Sequence, residues 1–164
     1  APLRPGTFEF LCRGVIGAAD MRTSDWAVHA ALGVCPRFTE LARDGNAVSR
    51  RNMLHPGEKS IVSHVEQCLA ATEGPVIAAT DYIRAYAEQI RAFVPRRYTV
   101  LGTDGFGRSD TREKLRHFFE VDRHWVVLAA LKALADEGKM PASKAAEAMK
   151  KYGLAADKPA PWTV

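Results

Sequence analysis

The sequence predicts an α/β fold with parallel strands, and three observations in the second half of the chain carry that prediction. Residues 76–80 and 98–101 are short apolar runs, which are typical of buried strands. Residues 83–93, between them, place apolar side chains at helical spacing. A turn with three glycines follows the second run and leads into another amphipathic stretch that ends near residue 120. A strand, a helix and a strand in this order favour a parallel pair joined by a right-handed crossover.

The first half of the chain shows less regular patterns. Residues 26–35 are apolar and predict a strand that ends at Pro36. Residues 38–43 predict one or two helical turns, closed by an Asp-Gly turn pair at 44–45. After a polar link, residues 60–71 place their apolar side chains on one helical face, which predicts a further helix.

Helix caps are predicted at three places. Thr80 and Asp81 offer an N-cap to the helix between the two strands, and Asp110 and Glu113 have the spacing of an N-cap and its N3 partner. Gly153 is suited to end a final helix. The helix after Thr80 also carries an aromatic series that is predicted to pack in the core: Tyr82, Tyr86 and Phe93.

The end of the chain predicts two helices and a tail. A helix is predicted over residues 122–138, and its run at 125–131 is apolar almost all round, so this helix must be buried on most sides. We therefore expect the chain to pack against a second copy of itself or against another domain. A final helix is predicted over about 142–152, followed by a proline-containing tail at 158–164.

Composition limits the class of protein. The chain has 164 residues, a net charge of +4, 47% hydrophobic and 26% charged residues, which is typical of one soluble globular domain, placed at residues 1–157 before the tail at 158–164. No stretch approaches the roughly 20 apolar residues of a membrane span. Basic residues alternate with acidic ones, so we expect no nucleic-acid partner and no membrane partner. Three widely spaced cysteines predict reduced thiols and a cytoplasmic location.

The strongest functional candidate is the glycine turn at residues 102–113. Glycine permits positive φ and close backbone approach, and the N–H groups that open the next helix carry partial positive charge. Two hypotheses stay open: a site for a small anion or phosphate, or a structural loop that meets a neighbouring domain with Phe106 as its apolar anchor. The candidate residues for both are Gly105, Phe106, Gly107, Arg108, Ser109 and Thr111.

No catalytic or metal-binding residue is predicted. His117, Glu120 and His124 have the residue types of a metal site, but a break expected near residues 121–122 separates the second histidine from the first helix, so we predict surface histidines. Ser109 lacks the Gly-x-Ser-x-Gly setting of a hydrolase nucleophile. His55 has no acidic partner at a recognisable spacing, so it is not predicted to be a general base.

Several motifs occur in the order shown by a known family. They are FTELARDG at 38–45, NMLHP at 52–56, ATDY at 79–82, LGTDGFGRSD at 101–110, FFEVD at 118–122 and AALKALA at 129–135. Together they resemble the C-terminal domain of the homodimeric type of pyruvate dehydrogenase (acetyl-transferring), the decarboxylating component of that complex, in the transketolase superfamily. The resemblance covers most of the chain and is specific, because several long motifs keep their order.

The resemblance implies a three-layer α/β/α sandwich around a mostly parallel, mixed five-strand sheet. For the whole enzyme it implies a cytoplasmic dimer that decarboxylates pyruvate with thiamine diphosphate and magnesium and reductively acetylates lipoyl groups. The cofactor-binding and catalytic residues of the family lie on two preceding domains, so none carries over to this chain, which is predicted to be inactive alone. Its implied role is dimer contact and support of those domains.

The residues themselves also predict no cofactor in this chain. A thiamine diphosphate site needs a Gly-Asp-Gly start and, roughly thirty residues later, an Asn that completes the oxygen shell of magnesium. Asp104 and Gly105 have no leading glycine, and Asn46 and Asn52 both precede them. Two alternatives to a supporting domain stay open: an anion-binding regulatory module, and a module that binds the acetyltransferase core.

The N-terminal segment departs from the family pattern. Residues 1–5 include two prolines and an arginine, which are poor strand material. We therefore expect the first strand of the family to be missing, and residues 1–35 to be divergent or truncated.

Overall fold

The sheet is small and parallel. The computed structural model describes residues 29–32 and 35–164, and within them three strands form one sheet in chain order. The strands are β1 (His29–Leu32), β2 (Val76–Ala79) and β3 (Tyr98–Leu101). Both pairings are parallel, with Ile77 opposite Ala30 on one side and Thr99 on the other. The predicted parallel pair is confirmed, and the described residues hold three strands where five were expected. The expected loss of the first strand concerns residues 1–5, outside the described part.

Helices make up most of the rest of the described chain. They are α1 (Cys35–Leu54), α2 (His64–Leu69), α3 (Arg84–Glu88), α4 (Arg112–Phe118), α5 (Arg123–Asp136) and α6 (Ser143–Tyr152), with short 3₁₀ turns at Arg91–Phe93 and Pro161–Thr163. Among these described helices, none has the length and apolar character that crossing a membrane requires.

Helices cover both faces of the sheet. Side chains of a strand alternate between its two faces, and β2 is buried on both. Val76 and Ala78 join the cluster formed with α1, α2 and α3, whereas Ile77 and Ala79 join Val126, Ala130 and Ala133 of α5. This arrangement of helix, sheet and helix is the layered α/β architecture that the sequence predicts.

The first strand and the helix after it meet at Pro36. β1 lies inside the predicted strand at 26–35, of which residues 26–28 and 33–34 are outside the described part. Pro36 stands in the first turn of α1. Proline is tolerated there because its missing N–H would have no acceptor within the helix. Pro36 therefore opens a helix, in addition to excluding a continued strand.

The length of α1 corrects a sequence prediction. The helix has 20 residues and passes through Asp44 and Gly45, which the sequence predicts as its end. A Cβ atom at Gly45 would lie 2.5 Å from ring carbons of Phe93, so this glycine allows close packing and does not form a left-handed C-cap. Asp44 in turn accepts a hydrogen bond of 2.7 Å from the backbone N–H of His64, at the start of α2.

The second helix is shorter than predicted. It begins after Ser63, whose side chain and that of Glu66 form a capping box. Ile61, predicted to lie on its buried face, is instead 46% exposed and precedes the helix. Both backbone polar groups of Ile61 bond to the side-chain amide of Asn52, at 2.8 and 3.0 Å. The Ser-x-x-Glu spacing at 63–66 was the signal in the sequence for the true start.

The aromatic series after Thr80 is only partly in the core. Tyr82 is 48% exposed, and Tyr86 and Phe93 are half-buried, whereas Ala87 and Ile90 are buried. Tyr82 and Tyr86 make an edge contact with ring centroids 5.0 Å apart. The prediction of core packing for this series is therefore wrong for Tyr82, which precedes α3 and lies at the surface.

The last two helices follow the sequence closely. Asp122 caps α5, and Gly153, with φ of 66°, ends α6 in the left-handed region. α5 buries four side chains, while others on it stay partly exposed, among them Val127, Leu128 and Leu131. Self-association through these exposed positions remains a prediction.

Tyr98 provides a pH-dependent contribution to stability. Its hydroxyl donates a hydrogen bond of 2.9 Å to the carbonyl of Ala87, and burial raises the pKa of the phenol. The unfolded chain loses this proton near pH 10, before the folded chain does, so stability falls as pH rises above about 10.

We expect Tyr98→Phe to lower the free energy of unfolding by about 1 kcal/mol at pH 8, because the buried hydrogen bond is lost. The difference in the free energy of unfolding between the two proteins should be smaller at pH 11. Urea unfolding at both pH values measures this difference. A gap that widens at pH 11 would contradict the assignment.

Candidate functional site

The glycine turn leaves the carboxyl end of β3 and enters α4. The backbone N–H of Thr103 donates a hydrogen bond of 2.9 Å to the carbonyl of Tyr82, which holds the turn against the segment before α3. A Cβ atom at Gly102 would lie 2.8 Å from the backbone nitrogen of Arg84. Glycine is required there because two backbone segments approach closely.

Asp104 fastens the turn to the start of α3. One carboxylate oxygen accepts a hydrogen bond of 2.9 Å from the backbone N–H of Arg84, and the other accepts one from its Nε. The N-cap of α3 is Ile83, which has no capping side chain of its own. Asp104 therefore supplies the cap from 20 residues away, and the predicted cap at Thr80 and Asp81 is wrong. The Thr80 hydroxyl accepts instead from the backbone N–H of Tyr82.

The C-terminal segment lies against the same turn. Gly105 has φ of +114°, and a Cβ atom there would lie 2.8 Å from the carbonyl oxygen of Pro161. Pro161 is buried, and the guanidinium carbon of Arg84 lies 4.4 Å from the ring centroid of Trp162. The residues described above as a tail thus end in a 3₁₀ turn that packs on the glycine turn.

The helix that follows begins one residue later than predicted. Thr111 is the N-cap of α4, because its hydroxyl accepts from the backbone N–H of Lys114. Asp110 accepts a hydrogen bond of 2.7 Å from the N–H of Thr111 instead. Asp110 and Thr111 are both residue types that cap helices, so their spacing in the sequence could not show which of them is the N-cap.

A surface groove of about 450 Å³ lies between this turn and α4. Arg112 Nη2 lies 3.2 Å from one oxygen of Asp81, and Arg116 Nε lies 3.2 Å from the other. Arg108 lies over the ring of Phe118 at 4.3 Å. The groove is lined by Asp81, Thr103, Gly105, Phe106, Gly107, Arg108, Asp110, Arg112, Leu115, Arg116 and Phe119.

The six candidate residues of the turn have different surroundings. Phe106 is 78% exposed in the described chain, so its role as an apolar anchor against a neighbouring domain stays a prediction. Gly107 has open space around it, and Ser109 is exposed. Asp81 already pairs with two of the three arginines of the groove, Arg112 and Arg116.

Two histidines and Cys68 take part in local pairs. His55 Nδ1 lies 3.1 Å from a carboxylate oxygen of Glu58, an acidic partner three residues away that the sequence reasoning missed. His64 Nε2 lies 3.4 Å from the sulfur of Cys68, and burial raises the pKa of that thiol. A raised pKa disfavours the thiolate, which agrees with an unreactive cysteine.

The helix break near residue 121 brings His117 and His124 together. His117 Nδ1 lies 2.8 Å from one oxygen of Asp122, and His124 Nδ1 lies 3.8 Å from the other. Glu120 is not part of this group, because it pairs with Lys158 at 3.1 Å. The predicted break is confirmed, since His117 lies on α4 and His124 on α5. The chain reverses through Asp122, however, so both rings come close to the same carboxylate.

The charge of Asp122 is stabilised in place. Desolvation favours the neutral carboxyl, but hydrogen bonds from His117 and from the backbone N–H groups of Trp125 and His124 outweigh it. The pKa of Asp122 consequently lies below its ordinary value.

Comparison with known proteins decides the family. The family model of the transketolase-like TK C-terminal domain matches residues 14–122. The chain belongs to this family. It is 66% identical over 152 residues to a protein named pyruvate dehydrogenase E1 component of Cupriavidus necator, and 57% and 46% identical over 149 residues to proteins of that name in Pseudomonas aeruginosa and Escherichia coli K12. These matches cover 90–93% of this chain, which spans 17% of the length of each relative.

The described residues of this family member do not fit a magnesium–diphosphate site at the glycine turn. Such a site needs free carboxylate and amide oxygens in a near-octahedral arrangement. Both oxygens of Asp104 are held by Arg84, and both polar atoms of the Asn52 amide are held by the backbone of Ile61. Asn46 is exposed on α1. The oxygens that such a site would need here are therefore already engaged within the domain.

Proposed function

We propose that this chain is the C-terminal domain of a thiamine diphosphate-dependent pyruvate dehydrogenase E1 component. The observation that carries the proposal is the 66% identity over 152 residues to the Cupriavidus necator protein of that name. In this proposal the whole enzyme decarboxylates pyruvate and reductively acetylates lipoyl groups. The remaining domains of the enzyme supply the cofactor site.

The glycine turn is the part of this domain that contacts the rest of the enzyme. Asp104 and the C-terminal segment hold the turn on its inner side. Phe106 projects from it with 78% of its surface exposed. An aromatic side chain on a supported loop is the kind of residue that anchors an interface, since its burial removes a large apolar area from water. We place Phe106 against a neighbouring domain or the second subunit of the dimer.

A chimera tests this function. The matching 152 residues of the Cupriavidus necator enzyme are replaced by those of this chain, and pyruvate decarboxylation is measured with thiamine diphosphate and magnesium. We expect the chimera to turn over at a rate close to that of the parent. The isolated 164-residue chain should show no turnover under the same conditions. A folded but inactive chimera, or turnover by the isolated chain, would overturn the proposal.

A substitution in the turn tests the contact. Phe106→Asp should lower the activity or dimer affinity of the chimera about tenfold, because a charge is then buried at an apolar contact. Met53→Asp is the matched control, since Met53 is also apolar and 69% exposed but lies at the end of α1. In the isolated chain, both variants should keep the melting temperature of the unmodified protein. Equal losses from the two variants in the chimera would remove Phe106 from the interface.

A further inference from the structure

Three potential metal ligands meet where α4 ends and α5 begins. One ligand atom from each of His117, Asp122 and His124 lies within 4.8 Å of the other two. Two are imidazole nitrogens and the third is a carboxylate oxygen. None of the three residues lines the groove at the glycine turn, so a metal site here does not depend on the proposed function.

The backbone places these three side chains together. Glu120 has φ of 63°, and the N–H of Val121 donates a hydrogen bond of 2.9 Å to the carbonyl of Arg116, which ends α4 sharply. Asp122 then caps α5 by accepting hydrogen bonds of 2.8 Å from the N–H of His124 and 3.1 Å from that of Trp125. The last turn of one helix and the first turn of the next are thereby fixed against each other.

The backbone N–H groups of α5 hold the carboxylate of Asp122 in position, and Tyr152 holds the ring of His124. One oxygen of Asp122 is bound by the N–H groups of α5, while the other lies 2.8 Å from His117 Nδ1. The ring of Tyr152 stacks on that of His124 with centroids 4.6 Å apart. Ligand atoms around a tetrahedral zinc ion lie roughly 3.4 Å from each other, given bonds of about 2.0–2.2 Å. Small side-chain rotations within the cluster reach that spacing.

We propose that His117, Asp122 and His124 bind one divalent first-row transition-metal ion, with zinc as the reference ion. Two imidazoles and one carboxylate suit zinc, nickel, cobalt or copper better than magnesium or calcium, which prefer oxygen ligands. Three protein ligands leave a fourth position for water. The ion joins the end of α4 to the start of α5.

Arg123 opposes this ion and provides a diagnostic variant. Its Nε donates a hydrogen bond of 3.3 Å to His124 Nε2, which leaves Nδ1 as the protonated nitrogen of the neutral ring. Coordination through Nδ1 needs the other tautomer, so the Arg123 side chain must rotate away. Arg123 is exposed and free to do so. Replacing it removes both the competing hydrogen bond and a nearby positive charge.

Calorimetric titration of the full 164-residue chain with zinc chloride tests the site. We expect one ion per chain, and at least a tenfold loss of affinity in His117→Ala and in His124→Ala. Asp122→Ser should lose affinity as well, and serine keeps an N-cap for α5, so that variant separates ligation from folding. Arg123→Gln should bind zinc more tightly than the unmodified chain.

Two other ligand pairs provide the controls. His55→Ala removes a potential ligand that pairs with Glu58, and Cys68→Ser removes one that pairs with His64. Both variants should bind zinc with the affinity of the unmodified chain. Zinc at about 100 times its dissociation constant should raise the melting temperature by roughly 5 °C, and His124→Ala should abolish that rise. Absence of saturable binding, or binding that survives all three ligand substitutions, would overturn the proposal.

Discussion

Gly45→Leu is expected to lower the free energy of unfolding by about 3 kcal/mol. Gly45 lies inside α1, where leucine is normally favoured over glycine by roughly 0.8 kcal/mol. Steric overlap outweighs that preference, because even a Cβ atom would lie 2.5 Å from three ring carbons of Phe93. The two elements must separate, or the ring must leave its half-buried position.

A double-mutant cycle measures the cause of this loss. In a Phe93→Ala background the space for a side chain exists, so Gly45→Leu should change the free energy of unfolding by less than about 1 kcal/mol. Gly57→Leu is the control, because a Cβ atom at Gly57 meets nothing within 4 Å. Urea unfolding followed by circular dichroism provides all four values. Equal effects of Gly45→Leu in both backgrounds would show that contact with Phe93 is not responsible.

Gly105→Ala should have the second large effect, lowering the free energy of unfolding by about 3 kcal/mol. Part of it is backbone strain, since an L-residue at φ of +114° is held in a region that side chains rarely adopt. The rest is displacement of the C-terminal segment, because the new Cβ atom would lie 2.8 Å from the carbonyl oxygen of Pro161. Gly107→Ala, two residues away, should be nearly neutral, because open space surrounds that position.

Truncation separates the two contributions. In a chain that ends at residue 160, Gly105→Ala has no segment to displace, so its effect should fall to the roughly 1–2 kcal/mol of backbone strain. Urea unfolding of the full-length and shortened chains, each with and without Gly105→Ala, measures the effect of the substitution in both backgrounds. An undiminished effect in the shortened chain would mean that the C-terminal segment does not press on the turn in solution.

Local patterns in the sequence predicted the elements that depend on nearby residues. The strand at residues 98–101 and the helices capped by Asp122 and ended by Gly153 were predicted closely. Apolar periodicity and capping side chains act within about one turn of the chain, so the necessary information lies in a short stretch of sequence. The family motifs are likewise continuous runs, and the match of the family model agrees with the resemblance drawn from them.

The predictions from sequence are wrong where a residue contacts a partner that is distant in the chain. Gly45 was predicted to end a helix, but it faces Phe93, which is on another element. Thr80 and Asp81 were predicted to cap α3, but the cap comes from Asp104. In both cases the residue type suited a local role. No nearby sequence pattern indicated the tertiary contact that determines its actual role.

The position of the glycine turn, its three glycines and the helix after it could all be predicted from local sequence. Three of its features depend on packing between distant elements: Asp104 joins it to α3, Pro161 packs on Gly105, and Phe106 faces outward. The cluster of His117, Asp122 and His124 likewise depends on how sharply the chain reverses between two helices. Periodicity and capping fix secondary structure locally, whereas these contacts depend on the packing of elements that are distant or differently oriented in the chain.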